Sequence, residues 1–188
     1  YGGSDAGAMI KVRKEAVAQG MNDGSITWVC TLSCYAPEFI EEGGDAVEGT
    51  YVWLFFLPFE EADTNAELAS FMDYIGTDFP AAWAAGAWAD GVLFEQSVNA
   101  IVERDGPNAL TRRALIDEVH ATTDFDVNGW WGTVNFETTL DISPCFVMLQ
   151  VENGEYVRRY PAERGTLDCD PGNVVVVSAD PEAFSVDN

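Results

Sequence analysis

Residues 83–102, WAAGAWADGVLFEQSVNAIV, constrain the fold of this chain more than any other stretch. They read as one long helix. Apolar positions continue to Val102, and Pro80 stands where the helix begins, a place that tolerates the missing N–H of proline. Trp83 and Trp88 sit among alanines and glycines in the first turns. Just upstream, residues 50–57, TYVWLFFL, are apolar nearly throughout, which predicts a strand covered on both faces. A buried strand followed by a long helix points to an α/β architecture.

The remaining elements extend that alternation. Ser4 or Asp5 is placed to cap a helix reaching Gln19, with Met9, Val12, Ala16 and Val17 facing inward and Gly20 as its stop. Residues 26–31, ITWVCT, form a short β run, and residues 36–42 a brief helix ended by Gly43-Gly44. Thr64 and Glu67 make a capping box ahead of a helix over 65–75. Thr111 caps another over 112–121. From there the pattern is β: 132–136, 145–152, 156–160 and 174–177, with Asn153-Gly154 as a hairpin turn.

Charge narrows the function. The chain has 32 acidic and 9 basic residues among 188, a formal charge of −23. Such a surface repels a phosphate backbone, which excludes nucleic acid as a partner class. No apolar run reaches the roughly 20 residues needed to cross a membrane. With His120 as the lone histidine, neither a tetrahedral zinc set nor a Ser-His-Asp arrangement is spelled out. No phosphate-cradling glycine loop is present either. We therefore expect no cofactor, no metal and no catalysis.

Four cysteines, Cys30, Cys34, Cys145 and Cys169, are an even number in a chain of exported character. The expected disulfides are Cys30–Cys34 and Cys145–Cys169, the second worth about 3 kcal/mol by loop entropy. Four buried free thiols are the alternative. The opening Tyr1-Gly2-Gly3-Ser4-Asp5 reads as the end of a strand turning into a helix and does not resemble a signal peptide. We expect sequence upstream of it.

In order, the chain presents YGG then a helix, the strand WVCTLSCY, a short helix with GGDAVEGTYV, a strand into LPF, the NAELASF helix, the aromatic helix at Trp83, a capped short helix, and GTVNF before a hairpin. This collinear series resembles the C-terminal half of type I periplasmic binding proteins of the leucine/isoleucine/valine-binding family. The YGG opening and Glu48 to Val52 (EGTYV) are its sharper parts. The resemblance implies a partial type I fold: residues 1–57 belonging to the second lobe, 58–127 returning to the first, and 128–188 supplying second-lobe strands and the tail. It implies a solute-binding receptor for an ABC transporter, holding an amino acid or a related small amide or acid between two lobes. The implied partners are that solute and a membrane permease. The implied location is periplasmic or extracellular, with any lipid anchor upstream of Tyr1.

By the same resemblance, Tyr1 faces the cleft and Trp83 lies against the ligand near the hinge. Amino-acid receptors of this kind carry an acid just after the second strand, where this chain has Leu32-Ser33-Cys34-Tyr35. Asp5 is the substitute expected from the neighbouring loop. Physical reasoning independently puts Tyr1 to Asp5 and Thr31 to Tyr35, Ser33 included, on one rim, because ligands of open α/β sheets bind beyond the carboxyl ends of strands. The candidate ligand-binding residues are therefore Tyr1, Asp5, Ser33 and Trp83. Trp83 and Trp88 also read as plain core residues, and Trp130-Trp131 as a plug beneath the sheet or an exposed sugar platform. A carbohydrate-active hydrolase using Glu60-Glu61 or Asp124/Asp126, and a structural surface domain, are the competing functions.

Overall fold

The computed structural model describes residues 5–77, 79–137 and 142–175. Helix α1 (Ala6–Ala18) leads to the short strand β1 (Val29–Cys30), α2 (Pro37–Gly43) and β2 (Tyr51–Leu54). Then come α3 (Ala66–Ile75), the long α4 (Ala82–Asp105) and α5 (Arg112–Ala121). The hairpin β3 (Val147–Glu152) and β4 (Glu155–Tyr160) completes the sheet. Sheet order is β1-β2-β3-β4. Strand β1 runs parallel to β2, whereas β2–β3 and β3–β4 are antiparallel.

Local chemistry sets the element ends. Asp5 caps α1 by accepting the Ala8 N–H at 2.9 Å, and Thr111 caps α5 through Ala114 N–H. Helix α3 is capped by Asn65 rather than Thr64: Asn65 Oδ1 accepts from Leu68 N–H at 2.9 Å, while the Thr64 hydroxyl donates to Glu61 O. The expected capping box therefore does not form. Glu67 instead accepts from Trp88 Nε1 and Asn128 Nδ2, stapling α3 to α4 and to the turn before Trp130. At the hairpin, Asn153 and Gly154 take φ of 52° and 74°, as a two-residue turn matching strand twist requires.

Several expectations fail for identifiable reasons. The inner face of α1 is Met9, Ile10, Arg13 and Ala16, with Val12 and Val17 exposed; a charged residue occupies the inward position that apolarity would have assigned to a valine. The 26–31 run contributes only two residues to the sheet, because Thr31 turns into a 3-10 segment over Leu32–Cys34. Strand β2 is four residues long and alternates between half-buried and buried positions, so it is not covered on both faces. Residues 132–136 form no strand, only the isolated bridge Phe125↔Val134. Val174 and Val175 are outside any strand, and the remainder of that predicted strand lies outside the described residues.

The core is strongly aromatic. Tyr35, Phe39, Phe56, Phe59, Phe71 and Trp130 are all essentially inaccessible. Trp130 fills the space between Phe56, Phe59 and Phe71, and its Nε1 donates to Leu57 O at 2.9 Å. That is the plug role and not a sugar platform. Both disulfides join the expected partners, Cys30–Cys34 and Cys145–Cys169. The second encloses residues 146–168, which include the whole β3–β4 hairpin. Reducing it is expected to lower stability by about 3 kcal/mol on the loop-entropy account. Thermal melts with and without reductant test this; coincident melts would show that the link contributes nothing.

Candidate functional site

The sheet places one end of β1 beside two helix starts. Beyond Cys30 the chain turns through Thr31–Cys34, and the Cys30–Cys34 disulfide closes that turn on itself with both sulfurs buried. Thr31 Oγ1 and Ser33 Oγ share a hydrogen bond of 2.9 Å within it. The turn is held from behind by two phenols. Tyr156 donates to Cys34 O at 2.5 Å, and the N–H of Ala36 reaches the same phenol oxygen at 3.3 Å. Tyr35 Oη accepts the Phe59 N–H at 2.7 Å and donates to Glu60 at 2.5 Å.

Burial pushes the Tyr35 hydroxyl well above its ordinary pKa, and nearby Glu60 adds to the shift. Tyr156 is raised for the same first reason. Both phenols therefore remain protonated donors across the physiological range. Desolvation also raises the Glu60 carboxyl, outweighing the Tyr35 hydrogen bond that favours its ionised form.

In front of this braced turn lies a cleft of about 150 Å³. Its walls are the first turn of α1 with its cap (Asp5, Ala6, Gly7), the turn residues Leu32 and Ser33, Ala36 and Glu38 at the start of α2, and Ala81, Ala82 and Trp83 at the start of α4. Three of the four residues singled out from the sequence, Asp5, Ser33 and Trp83, thus line one cleft. Tyr1 lies outside the described residues. Trp83 is 70% exposed, so its ring is not spent on the core. Trp88, one turn on, is partly buried against Phe71 and Tyr74.

Glu38 is the lining residue that sequence reading missed. The signal was present: Pro37 marks the first turn of a helix, and Glu38 follows it on the same rim as Ser33. The search for an acid stopped at Tyr35. The cleft carries two carboxylates, Asp5 and Glu38, and it also receives the positive ends of the α1 and α4 dipoles. The start of α4 has no side-chain cap. A site with both signs of charge and one open aromatic face suits a small zwitterion or amphipathic acid.

The acidic pair Glu60-Glu61 does not form a catalytic couple. Glu60 turns to Tyr35, and Glu61 is bound by Arg158. Among the described residues there is no group of three metal-ligating side chains and no helix long and apolar enough to cross a membrane.

Comparison with known proteins agrees with this geometry. A family model described as a periplasmic binding protein matches residues 1–155. No curated protein sequence matches the chain. Among solved structures, it is similar to a leucine binding protein from Thermotoga maritima (19% identity, TM-score 0.62, 83% of this chain and 42% of that one). It is also similar to a branched chain amino acid ABC transporter protein from Thermus thermophilus with bound valine (14%, TM-score 0.63, 82% and 43%). A third is a fatty acid ABC transporter substrate-binding protein from Thermomonospora curvata (17%, TM-score 0.59, 86% and 45%). The chain therefore spans less than half the length of these relatives. Its architecture is a partial type I periplasmic-binding-protein fold, and its family and fold neighbours are solute-binding proteins rather than enzymes.

Proposed function

Because the chain belongs to the periplasmic binding protein family, we propose that it forms one wall of an extracytoplasmic solute receptor that delivers a small amino acid or a related acid or amide to a membrane ABC transporter. The observation that carries this reading is the cleft itself, where Asp5, Ser33, Glu38 and Trp83 converge from three separate elements. Residues 1–57 and 128–188 form one lobe in this reading, supported by the pairing of β2 with β3 across that division. Residues 58–127 pass to the opposing lobe. Closure of the two lobes over the cleft covers the exposed face of Trp83 and completes the polar contacts.

Each side chain then has a defined task. Trp83 lies against the apolar part of the solute. Glu38, with Asp5 beside it, meets an ammonium group. The amide-rich starts of α1 and α4 favour the opposite, carboxylate end. The acid absent from residues 32–35 is supplied from α2 in this arrangement.

Glu38→Gln tests the assignment. In a two-lobed receptor carrying this chain, it is expected to weaken binding of an amino acid about tenfold or more, the size of a lost charge-assisted hydrogen bond. Binding of the matching acid without the amine should be unchanged. Calorimetric titration with both compounds reads the difference, and equal affinities before and after substitution would remove Glu38 from the site.

A further inference from the structure

The fold buries one guanidinium without giving it a carboxylate. Arg13 is 3% exposed, in the inward-facing stripe of α1. Its Nη2 donates to Glu48 O at 3.0 Å, and its guanidinium carbon lies 4.7 Å from the Trp28 ring centroid. Nε and Nη1 meet no acceptor among the described residues. None of the ion pairs among those residues includes Arg13. In a chain with 32 acidic residues, an unpaired buried cation is unexpected, because buried charges are ordinarily paired.

Arg13 forms part of the wall of a cavity of about 420 Å³, together with Asn22, Thr27, Trp28, Asp45 and Glu48. This cavity is separate from the cleft. Trp28 enters β1 from one side, whereas Leu32 and Ser33 leave it on the other, and the two sets of lining residues have no member in common.

We propose that this cavity is a second binding site, taking a small monocarboxylate whose oxygens accept the N–H groups that Arg13 leaves without partners. The ligand class follows from the wall. A planar guanidinium matches a carboxylate edge-on, and Trp28 covers one of its faces, which directs the contact to the edge. Asp45 and Glu48 bring negative charge to the same wall, which disfavours a doubly charged anion more than a singly charged one. Glu48 does not compete for Arg13, because its carboxylate accepts the N–H groups of Asn153 and Gly154 at 3.0 and 2.8 Å. Asn22 and Thr27 supply neutral polar contacts, and the volume admits a ligand with a short tail.

The test uses the whole chain labelled with ¹⁵N-arginine and acetate as the probe, at constant ionic strength. The expected result is a saturable shift of the Arg13 Nε–H resonance that the other arginines do not share. Sulfate should produce a several-fold weaker response. Asp45→Asn should tighten acetate binding about threefold by removing one repulsive charge. An Arg13 signal that does not move, or a linear drift common to all arginines, overturns the site. A sulfate response equal to that of acetate overturns the ligand class.

Discussion

An Arg158→Met variant is expected to unfold with about 3–5 kcal/mol less stability than the unsubstituted chain, the usual consequence of breaking a buried ion pair from one side. Arg158 and Glu61 side chains are only 9% and 4% exposed. Nε and Nη2 grip the two carboxylate oxygens at 2.5 and 2.6 Å, and Nη1 donates to Pro161 O and Thr166 O at 3.1 Å. Glu61 also accepts the Gly165 N–H at 2.8 Å. Methionine keeps much of the stem but leaves the Glu61 carboxylate buried with that single amide. Two carbonyls lose their donor as well.

The clasp joins β4 to the 3-10 segment Phe59–Thr64, where the chain leaves the sheet after β2. Its loss therefore loosens the junction directly behind Tyr35 and the cleft turn. Denaturant titration gives the stability difference, and a loss below about 1 kcal/mol would contradict the account. Adding Glu61→Leu should restore much of the loss, because both desolvated charges are then gone.

Reading the sequence located the helices better than the strands. Helices α3 and α5 announce themselves through polar caps and apolar spacing, although the cap of α3 proved to be Asn65 and not its neighbour Thr64. The run 50–57 looked like a strand buried on both faces because aromatic residues dominate it. Only Tyr51–Leu54 stay in the sheet; Phe56 instead bridges to Trp131. That contact is set by residues far along the chain, so no local pattern foretold it. The same holds for residues 132–136, whose β-like composition serves a close approach to the disulfide: a Cβ at Gly132 would stand 2.4 Å from that of Cys145.

The candidate site was legible in its rim and not in its charge. Asp5, Ser33 and Trp83 could be placed together because two of them follow strands and the third begins the long helix. Glu38 was passed over because its role depends on α2 turning back toward α1. The phenols of Tyr35 and Tyr156, which brace the cleft turn, carried no sequence signal. Tyr156 reaches its backbone partners from 120 or more residues away.

Trp83→Ala is the second large effect, and it concerns binding rather than folding. With 70% of its surface exposed, Trp83 contributes little to the core. Truncation should change stability by less than about 1 kcal/mol. In a closed receptor the same ring is buried against solute, where an aromatic anchor commonly contributes 2 kcal/mol or more, a loss of about 30-fold in affinity. No other described residue of the cleft presents a comparable exposed aromatic face, so nothing compensates.

Calorimetric titration of the two-lobed receptor and its Trp83→Ala variant, against the amino acid, acid or amide that most raises its melting temperature, tests the interlobe cleft most directly. The account predicts saturable one-to-one binding, weakened about tenfold or more in the variant at nearly unchanged stability. Superimposable isotherms for the two proteins, or no binding by any compound of these classes, would contradict it.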